Sequence, residues 1–213
     1  GLETGNPITA QTRFLIEGED PVQVGVDPDD IDEASQSAVS GYVVDSAGEP
    51  VVGALVTIAD HPKYGSTRTR ADGRFDLILN GDEVVTIRVD HENYLSVERT
   101  MYLDSAEWEK LRRIVLRAEE PPSGVVDFSG GTTTYQVIRA SISSDADGER
   151  QPVLVFPPNV AASALLPDGT TRRLSIGTIS VTEFTTGEEG LEAMPANLPD
   201  GTAYTYAVHY AVS

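Results

Sequence analysis

A β-hairpin is predicted by residues 61–77, which read His61-Pro62-Lys63-Tyr64-Gly65-Ser66-Thr67-Arg68-Thr69-Arg70-Ala71-Asp72-Gly73-Arg74-Phe75-Asp76-Leu77. The dipeptide Asp72-Gly73 lies between two strand-like runs, and Asp-Gly is a strong hairpin signal because glycine adopts a positive φ without steric cost. Phe75 and Leu77 then alternate on one face of the return strand. No residue of this stretch is arranged for catalysis, so it predicts a structural element.

The residues around the hairpin continue this pattern from 39 to 118. Apolar side chains alternate in short segments separated by turns rich in glycine, proline and aspartate. The inward-facing residues are predicted to be Val39, Gly41, Val43, Ala54, Val56, Ile58, Phe75, Leu77, Leu79, Val85, Ile87, Val89, Ile114 and Leu116. Short strands at this spacing are typical of a β-sandwich.

An acidic segment, residues 1–38, precedes this sandwich, and we expect it to lie extended across the sandwich surface. No Lys or Arg occurs between Arg13 and Lys63. Residues 12–16 and 22–26 are candidate short strands. Further along, residues 104–111 carry a capping pattern that predicts one helical turn.

A second β domain is expected over residues 125–213, after a linker at 119–124 that contains Pro121-Pro122. The candidate strands are Tyr135–Ile142, Pro152–Phe156, Ala161–Leu166, Thr178–Phe184 and Tyr204–Val212. Residues 193–199 are expected to be extended, because each proline keeps its predecessor out of the helical region. The fold class is therefore all-β, with two tandem β-sandwich-like domains.

The composition excludes several classes of partner and chemistry. The net charge is −19 and the pI is about 4.3, so nucleic acid and membrane insertion are disfavoured. There is no cysteine, which excludes disulfides and thiol catalysis. No apolar run is long enough to span a membrane. An acidic, cysteine-free β chain suits an exported bacterial protein, and we interpret this chain as a fragment of something longer.

No catalytic or cofactor-binding residues are predicted. Serine never occurs in a G-x-S-x-G elbow, and the three histidines His61, His91 and His209 are far apart, without metal-ligand spacing. Two acidic clusters resemble calcium-ligand spacing without completing the twelve-residue loop. Their members are Asp27, Asp29, Asp145 and Asp147. Solvated turns and a weak calcium site that stiffens the fold are the two alternatives.

An aromatic carbohydrate platform is a further alternative, formed by Trp108 with Tyr94 and Tyr102. The competing interpretation is that Trp108 packs in the core or at a strand edge. A glycan is therefore kept as a candidate partner.

Three blocks of the first domain resemble carboxypeptidase regulatory-like (transthyretin-like) domains. The blocks are Ser40-Gly41-Tyr42-Val43-Val44-Asp45, Gly48-x-Pro50-x-x-Gly53-Ala54-x-Val56-x-Ile58 and Thr69-x-Ala71-Asp72-Gly73-x-Phe75. The resemblance implies a non-catalytic seven-stranded sandwich. Transthyretin-like folds also include a purine-pathway hydrolase, but its C-terminal Tyr-Arg-Gly-Ser tetrapeptide is missing here.

A narrower likeness extends from Phe14 to the end of the chain. Residues 61–81 are similar to the variant found in bacterial RHS/YD-repeat proteins and in teneurins. Later blocks resemble the fibronectin-plug-like region that follows in the bacterial proteins. These blocks are Val155-Phe156-Pro157, Leu166-Pro167-Asp168-Gly169-Thr170, Thr182-Glu183-Phe184-Thr185, Glu192-Ala193-Met194-Pro195 and Tyr204-Thr205-Tyr206-Ala207-Val208.

This likeness implies a structural, non-enzymatic role. In that family a shell of YD repeats encloses a C-terminal cargo, and the plug region seals one end of the shell. The implied partner is the YD-repeat shell of the same polypeptide, and the implied location is secreted or on the bacterial cell surface. The alternative is an extracellular adhesion or carbohydrate-binding sandwich, stiffened by calcium.

Overall fold

A computed structural model describes residues 7–145, 148–184, 187–198, 201 and 206–213. The chain forms two compact units. Unit 1 comprises Gly1–Ala118 with Glu188–Ala203, and unit 2 comprises Glu119–Gly187 with Tyr204–Ser213. The sequence predicted a linker at 119–124 and a second domain over 125–213. Residues 188–203 fall within that expected second domain, but in the structure they group with unit 1.

The described part of unit 1 consists of nine strands and short helices. The helical elements are α1 (Pro7–Thr12), 3-10 turns at Arg13–Leu15, Pro28–Asp30 and Pro62–Tyr64, and α2 (Gly187–Ala193), which begins at the unit boundary. The strands are β1 (Gln23–Val24), β2 (Gln36–Asp45), β3 (Leu55–Ile58), β4 (Ser66–Arg68), β5 (Arg74–Asn80), β6 (Glu83–His91), β7 (Tyr94–Leu103), β8 (Trp108–Lys110) and β9 (Ile114–Leu116).

Two sheets enclose the core of unit 1. One has the order β1-β4-β3-β6-β7, and the other has the order β5-β2-β8, with β9 also paired to β2. Val39 lies opposite Leu77 in the second sheet, and Val56 lies opposite Val89 in the first. All the residues predicted to face inward belong to the buried core or lie on its strands, which confirms the all-β sandwich.

The opposite face of β2 is buried as well. Ala38 is fully buried beside Ile78, and Gln36 donates from Nε2 to Thr12 Oγ1 at 2.7 Å. The acidic lead-in therefore covers this face with α1 and the 3-10 turn after it. The candidate strand at residues 12–16 is wrong, because Leu15 is buried from a helical turn.

Residues 104–111 contain the short edge strand β8 (Trp108–Lys110) instead of the predicted helical turn. Ala38 N donates to Glu107 O and Leu111 N donates to Ser40 O, each at 2.9 Å. These bonds pair β8 in parallel with β2. Backbone groups on the edge of β2 needed partners, and this requirement outweighed the capping pattern.

Unit 2, as far as it is described, contains nine short strands around a smaller core. They are β10 (Gly124–Asp127), β11 (Gln136–Arg139), β12 (Ser143–Asp145), β13 (Gly148–Arg150), β14 (Val153–Phe156), β15 (Ala162–Leu165), β16 (Thr171–Leu174), β17 (Ile176–Phe184) and β18 (Ala207–Val212). One sheet has the order β10-β17-β18, and β11-β14, β12-β13 and β15-β16 are two-stranded. The core residues are Val126, Phe128, Ile138, Ala140, Ile179 and Val181.

Each of the five candidate strands of this unit contains or overlaps an observed one. The observed strands are β11, β14, β15, β17 and β18. Residues 204 and 205, at the start of the last candidate, lie outside the described residues.

Candidate interaction surfaces

The acidic calcium candidates do not form a recognisable cluster in the part of the chain that is described. Asp27 caps the 3-10 turn after it, because its Oδ1 accepts from Asp29 N at 3.0 Å. Asp145 ends β12, and Asp147 lies outside the described residues. Within the described ranges, no three His, Cys, Asp or Glu side chains are placed to hold a metal. Calcium binding stays a prediction.

The histidines lie in separate elements. His61 precedes the 3-10 turn at Pro62–Tyr64 and stacks on Tyr64, with ring centroids 6.0 Å apart. His91 ends β6 and meets Tyr94 edge-on at 5.2 Å, while His209 lies in β18. The ring contacts of His61 and His91 indicate packing roles for these two residues.

The aromatic residues considered for sugar binding do not share one surface. Tyr94 begins β7 and Tyr102 lies near its other end. Eight residues of strand at about 3.3 Å each separate them by roughly 26 Å. Trp108 lies in β8, in the other sheet, and is partly buried. A glycan site on these three residues would lack a common platform.

The two buried carboxylates of the described residues are both held by arginine. Asp76 accepts from Arg70 at 2.6 Å and from Arg74 at 2.9 Å, and the pKa of Arg74 is raised chiefly by its hydrogen bond to Asp76. Glu183 accepts from Arg150 Nε at 2.8 Å. These ion pairs give both acids a structural role.

The edge of β7 is closed by the end of α2 and the segment that follows it. Arg99 donates to the carbonyl oxygens of Met194 at 2.8 Å and of Glu192 at 2.7 Å. Burial lowers the pKa of Arg99 to about 10, while the charge of Glu192 opposes that shift. Glu98 N donates to Pro195 O at 2.7 Å. Residues 194–197 therefore follow the edge strand without regular secondary structure of their own.

The side chain of Asn197 completes this closure. Its Oδ1 accepts from Thr100 N at 3.1 Å, and its Nδ2 donates to Thr100 O at 3.2 Å. One side-chain amide thus occupies both backbone groups of one edge residue. Beside it lies an open cleft of 670 Å³, whose lining includes Arg99, Lys110 and Leu111.

The same device closes two other sheet edges. Gln23 pairs with the N–H and the C=O of Ile78 in β5, at 2.6 and 2.9 Å. Gln136 pairs with both groups of Asp127 in β10, at 2.7 and 2.9 Å. Sequence reasoning missed these amides. The only available signal was Gln23 between two valines, a polar residue at an alternating position.

Apolar side chains are exposed mainly in unit 2. Val137 lies opposite Val155 in register, and Val153 follows on the same face of the β11-β14 pair. Their exposed fractions are 42% for Val137, 57% for Val155 and 49% for Val153. The opposite face of this pair contributes Ile138 to the core. The outer face therefore presents three uncovered valines beside the exposed Arg139, which lies opposite Val153.

Comparison with known proteins identifies the class of the first unit. Residues 31–116 match the family model described as "Teneurin TTR-like domain". This stretch is therefore a transthyretin-like domain of the teneurin type, as the sequence resemblance predicted.

Two relatives match a longer part of the chain. Teneurin-4 of Homo sapiens is 26% identical over 147 residues, which cover 65% of this chain and 5% of that protein. Teneurin-1 of Gallus gallus is 36% identical over 131 residues, covering 61% and 5%. The chain thus spans a small fraction of the length of the curated relatives it matches.

Similarity to solved structures is slight. Hydroxyquinol 1,2-dioxygenase from Pseudomonas putida overlaps with a TM-score of 0.32 at 14% identity, covering 41% of this chain and 58% of that chain. A likeness of this size carries no argument about activity. In the described residues, no helix is both long and apolar enough to cross a membrane.

Proposed function

We propose that the chain is a non-catalytic structural module of a large secreted or cell-surface YD-repeat protein. Unit 1 flanks the β shell of that polypeptide, and unit 2 plugs the shell as a fibronectin-plug-like domain. The teneurin-type match of residues 31–116 supports a module of a longer extracellular protein. The sequence resemblance to bacterial RHS proteins supports the plug.

The exposed apolar surface of unit 2 carries this proposal. Eighteen large apolar side chains are exposed in the described residues, and eleven of them belong to unit 2, the smaller unit. The eleven are Val125, Tyr135, Val137, Ile142, Val153, Val155, Leu165, Ile176, Tyr206, Tyr210 and Val212. These exposed side chains lie on more than one face of unit 2, and their number fits burial of this unit against other protein surfaces.

The difference in net charge between the two units supports the same proposal. Unit 2 has four basic and eight acidic residues, which gives a net charge of −4. Unit 1 has eleven basic and twenty-six acidic residues, which gives a net charge of −15. Unit 1 is therefore suited to a solvated position, and desolvating unit 2 costs less.

The first test is the mass of the native polypeptide in the cells that make it, using an antibody raised against this chain. A band several times larger than 22.8 kDa supports a module of a shell protein. A band near 22.8 kDa overturns it and favours adhesion, to be followed with a glycan array and melts with and without calcium.

The second test measures whether the apolar surface is covered. The chain has no cysteine, so Val155→Cys introduces a single thiol on the β11-β14 face. Val52→Cys is the matched control, because Val52 is 55% exposed in unit 1. We expect maleimide to label both variants rapidly in the isolated chain. In the full-length polypeptide only the Val155→Cys thiol should become protected, and equal labelling would overturn packing against the shell.

A further inference from the structure

We propose that the free edge of β18 accepts an extended peptide segment as an added strand. The partner has apolar side chains at alternate positions and no acidic side chains. This edge is distinct from the β11-β14 face, although its Tyr210 and Val212 also belong to the exposed apolar set that supports the plug.

The alternation of hydrogen-bonded and non-hydrogen-bonded pairs between β17 and β18 identifies the backbone groups of β18 that have no partner in the described sheet. Thr178 and Ser213 exchange both backbone bonds, at 2.9 and 3.0 Å. The register of β17 and β18 is unbroken, so every second pair is bonded in the same way, including Thr182 with His209. The N–H and C=O groups of Val208 and Tyr210 therefore point away from β17. No described residue supplies them with a backbone partner.

The apolar face of the same strand is also incompletely covered. Tyr210 lies opposite Val181, and Val212 lies opposite Ile179. Val181 and Ile179 are buried, whereas Tyr210 is 52% exposed and Val212 is 53% exposed. Val208 of the same strand packs against the core of unit 2, so the core covers only part of the edge strand. An added strand would extend both the ladder and the apolar layer.

The other long edge strands of the larger sheets differ from β18, because side-chain amides bond to part of their free backbone groups. In the described sheets of three or more strands, the edge strands longer than three residues are β5, β7, β10 and β18. Side-chain amides close part of the first three edges. β18 has no such amide among the described residues, and its sequence Ala-Val-His-Tyr-Ala-Val contains no lysine or proline that would discourage pairing.

The charge of the chain selects the partner. β18 carries no acidic or permanently charged side chain, but the whole chain has a net charge of −19, and unit 2, which contains β18, has a net charge of −4. A second copy would bring the same charge to the interface and is disfavoured by repulsion. A neutral or basic extended segment forms the same ladder without this penalty, in the manner of strand addition.

The probe is a synthetic peptide of alternating valine and threonine flanked by lysines. It is added to the ¹⁵N-labelled chain, and amide hydrogen exchange is followed by NMR. In the free chain we expect protection at His209 and Ala211, which bond to β17, and rapid exchange at Val208 and Tyr210. Saturating peptide should slow exchange at Val208 and Tyr210 by about tenfold or more, because their amides become paired.

Two controls distinguish peptide binding through backbone hydrogen bonds from peptide binding through charge attraction alone. The same peptide with alternate backbone amides methylated should bind at least about tenfold more weakly, since it lacks the donors of one edge. Tyr210→Lys should weaken binding, whereas Ile176→Lys, an exposed position on the other face of the sheet, should not.

Three results would overturn the inference. The first is no change at Val208 and Tyr210 with saturating peptide, and the second is equal binding of the methylated peptide. The third is concentration-dependent protection of these amides without peptide, together with a doubled mass in sedimentation. That result would make a second copy the occupant of the edge.

Discussion

The side-chain amide of Gln23 replaces a missing strand beside Ile78. Gln23 Oε1 accepts from Ile78 N at 2.6 Å, and Gln23 Nε2 donates to Ile78 O at 2.9 Å and to Tyr64 O at 2.8 Å. Gln23 is 1% exposed, so water does not compete for these groups. The lead-in segment therefore contributes a hydrogen-bonded part of the sandwich in addition to its apolar contacts.

Replacing this amide should destabilise unit 1. Gln23→Leu keeps the approximate volume but leaves buried backbone groups of Ile78 and Tyr64 without partners, at about 1–3 kcal/mol for each. Three groups lose their partner, so we expect the free energy of unfolding in urea to fall by about 3 kcal/mol or more. Val24→Thr is the control, because Val24 is 52% exposed, and it should change stability by less than about 0.5 kcal/mol. A loss below about 1 kcal/mol for Gln23→Leu would show that water reaches the site.

The Asp72-Gly73 turn allows a matched glycine comparison. Gly73 has φ +77° and Gly48 has φ +82°, so alanine is strained at both positions by about 1–2 kcal/mol. A Cβ at Gly73 would also collide with the carbonyl oxygen of Val43, whereas a Cβ at Gly48 meets nothing within 4 Å. We expect Gly73→Ala to lower the free energy of unfolding by about 2 kcal/mol more than Gly48→Ala. Equal losses would mean that β2 shifts to accommodate the methyl group.

Much of unit 1 could be predicted because its signals are local. The alternation through Val85, Ile87 and Val89 and the turn at Asp72-Gly73 each fix a strand without long-range information. The helical form of residues 7–15 could not be predicted, because it depends on the distant face of β2 that this segment covers. The strand at Trp108–Lys110 likewise depends on a partner far along the sequence.

The interaction surfaces were less predictable for the same reason. The exposed apolar surface of unit 2 fits the resemblance to a plug region, while the amide closures were not expected. Gln136 and Asn197 occupy irregular or terminal positions, and a glutamine or asparagine there has no periodic signature. Only the three-dimensional placement of Asp127 and Thr100 gives these side chains a role.

Tyr64 should make stability decrease at alkaline pH. Burial, followed by the hydrogen bond to Glu83, raises the pKa of Tyr64 to about 12 from 10.0. The stabilising effect of the protonated phenol is complete below about pH 10 and is lost as the pH rises to about 12, because the unfolded state releases the proton first. Between about pH 9 and about pH 11 the urea midpoint should fall less in Tyr64→Phe than in the parent chain. Tyr102→Phe, at an exposed position, is the control, and the same fall in Tyr64→Phe as in the parent would contradict the assignment.

The closure of the β7 edge by Asn197 can be measured at a single amide. Asn197→Ala removes both bonds to Thr100, so Thr100 N–H becomes accessible to water and its exchange should accelerate by about tenfold. Glu98 N–H bonds to the backbone of Pro195 and should exchange at nearly the same rate as before. Asn93→Ala is the matched control, because Asn93 is exposed and its side chain makes no hydrogen bond to the described residues. Unchanged exchange at Thr100 would show that the bonds from Arg99 to Glu192 and Met194 hold the segment closed without Asn197. Acceleration at both Thr100 and Glu98 would show instead that the whole segment detaches when this one amide is lost.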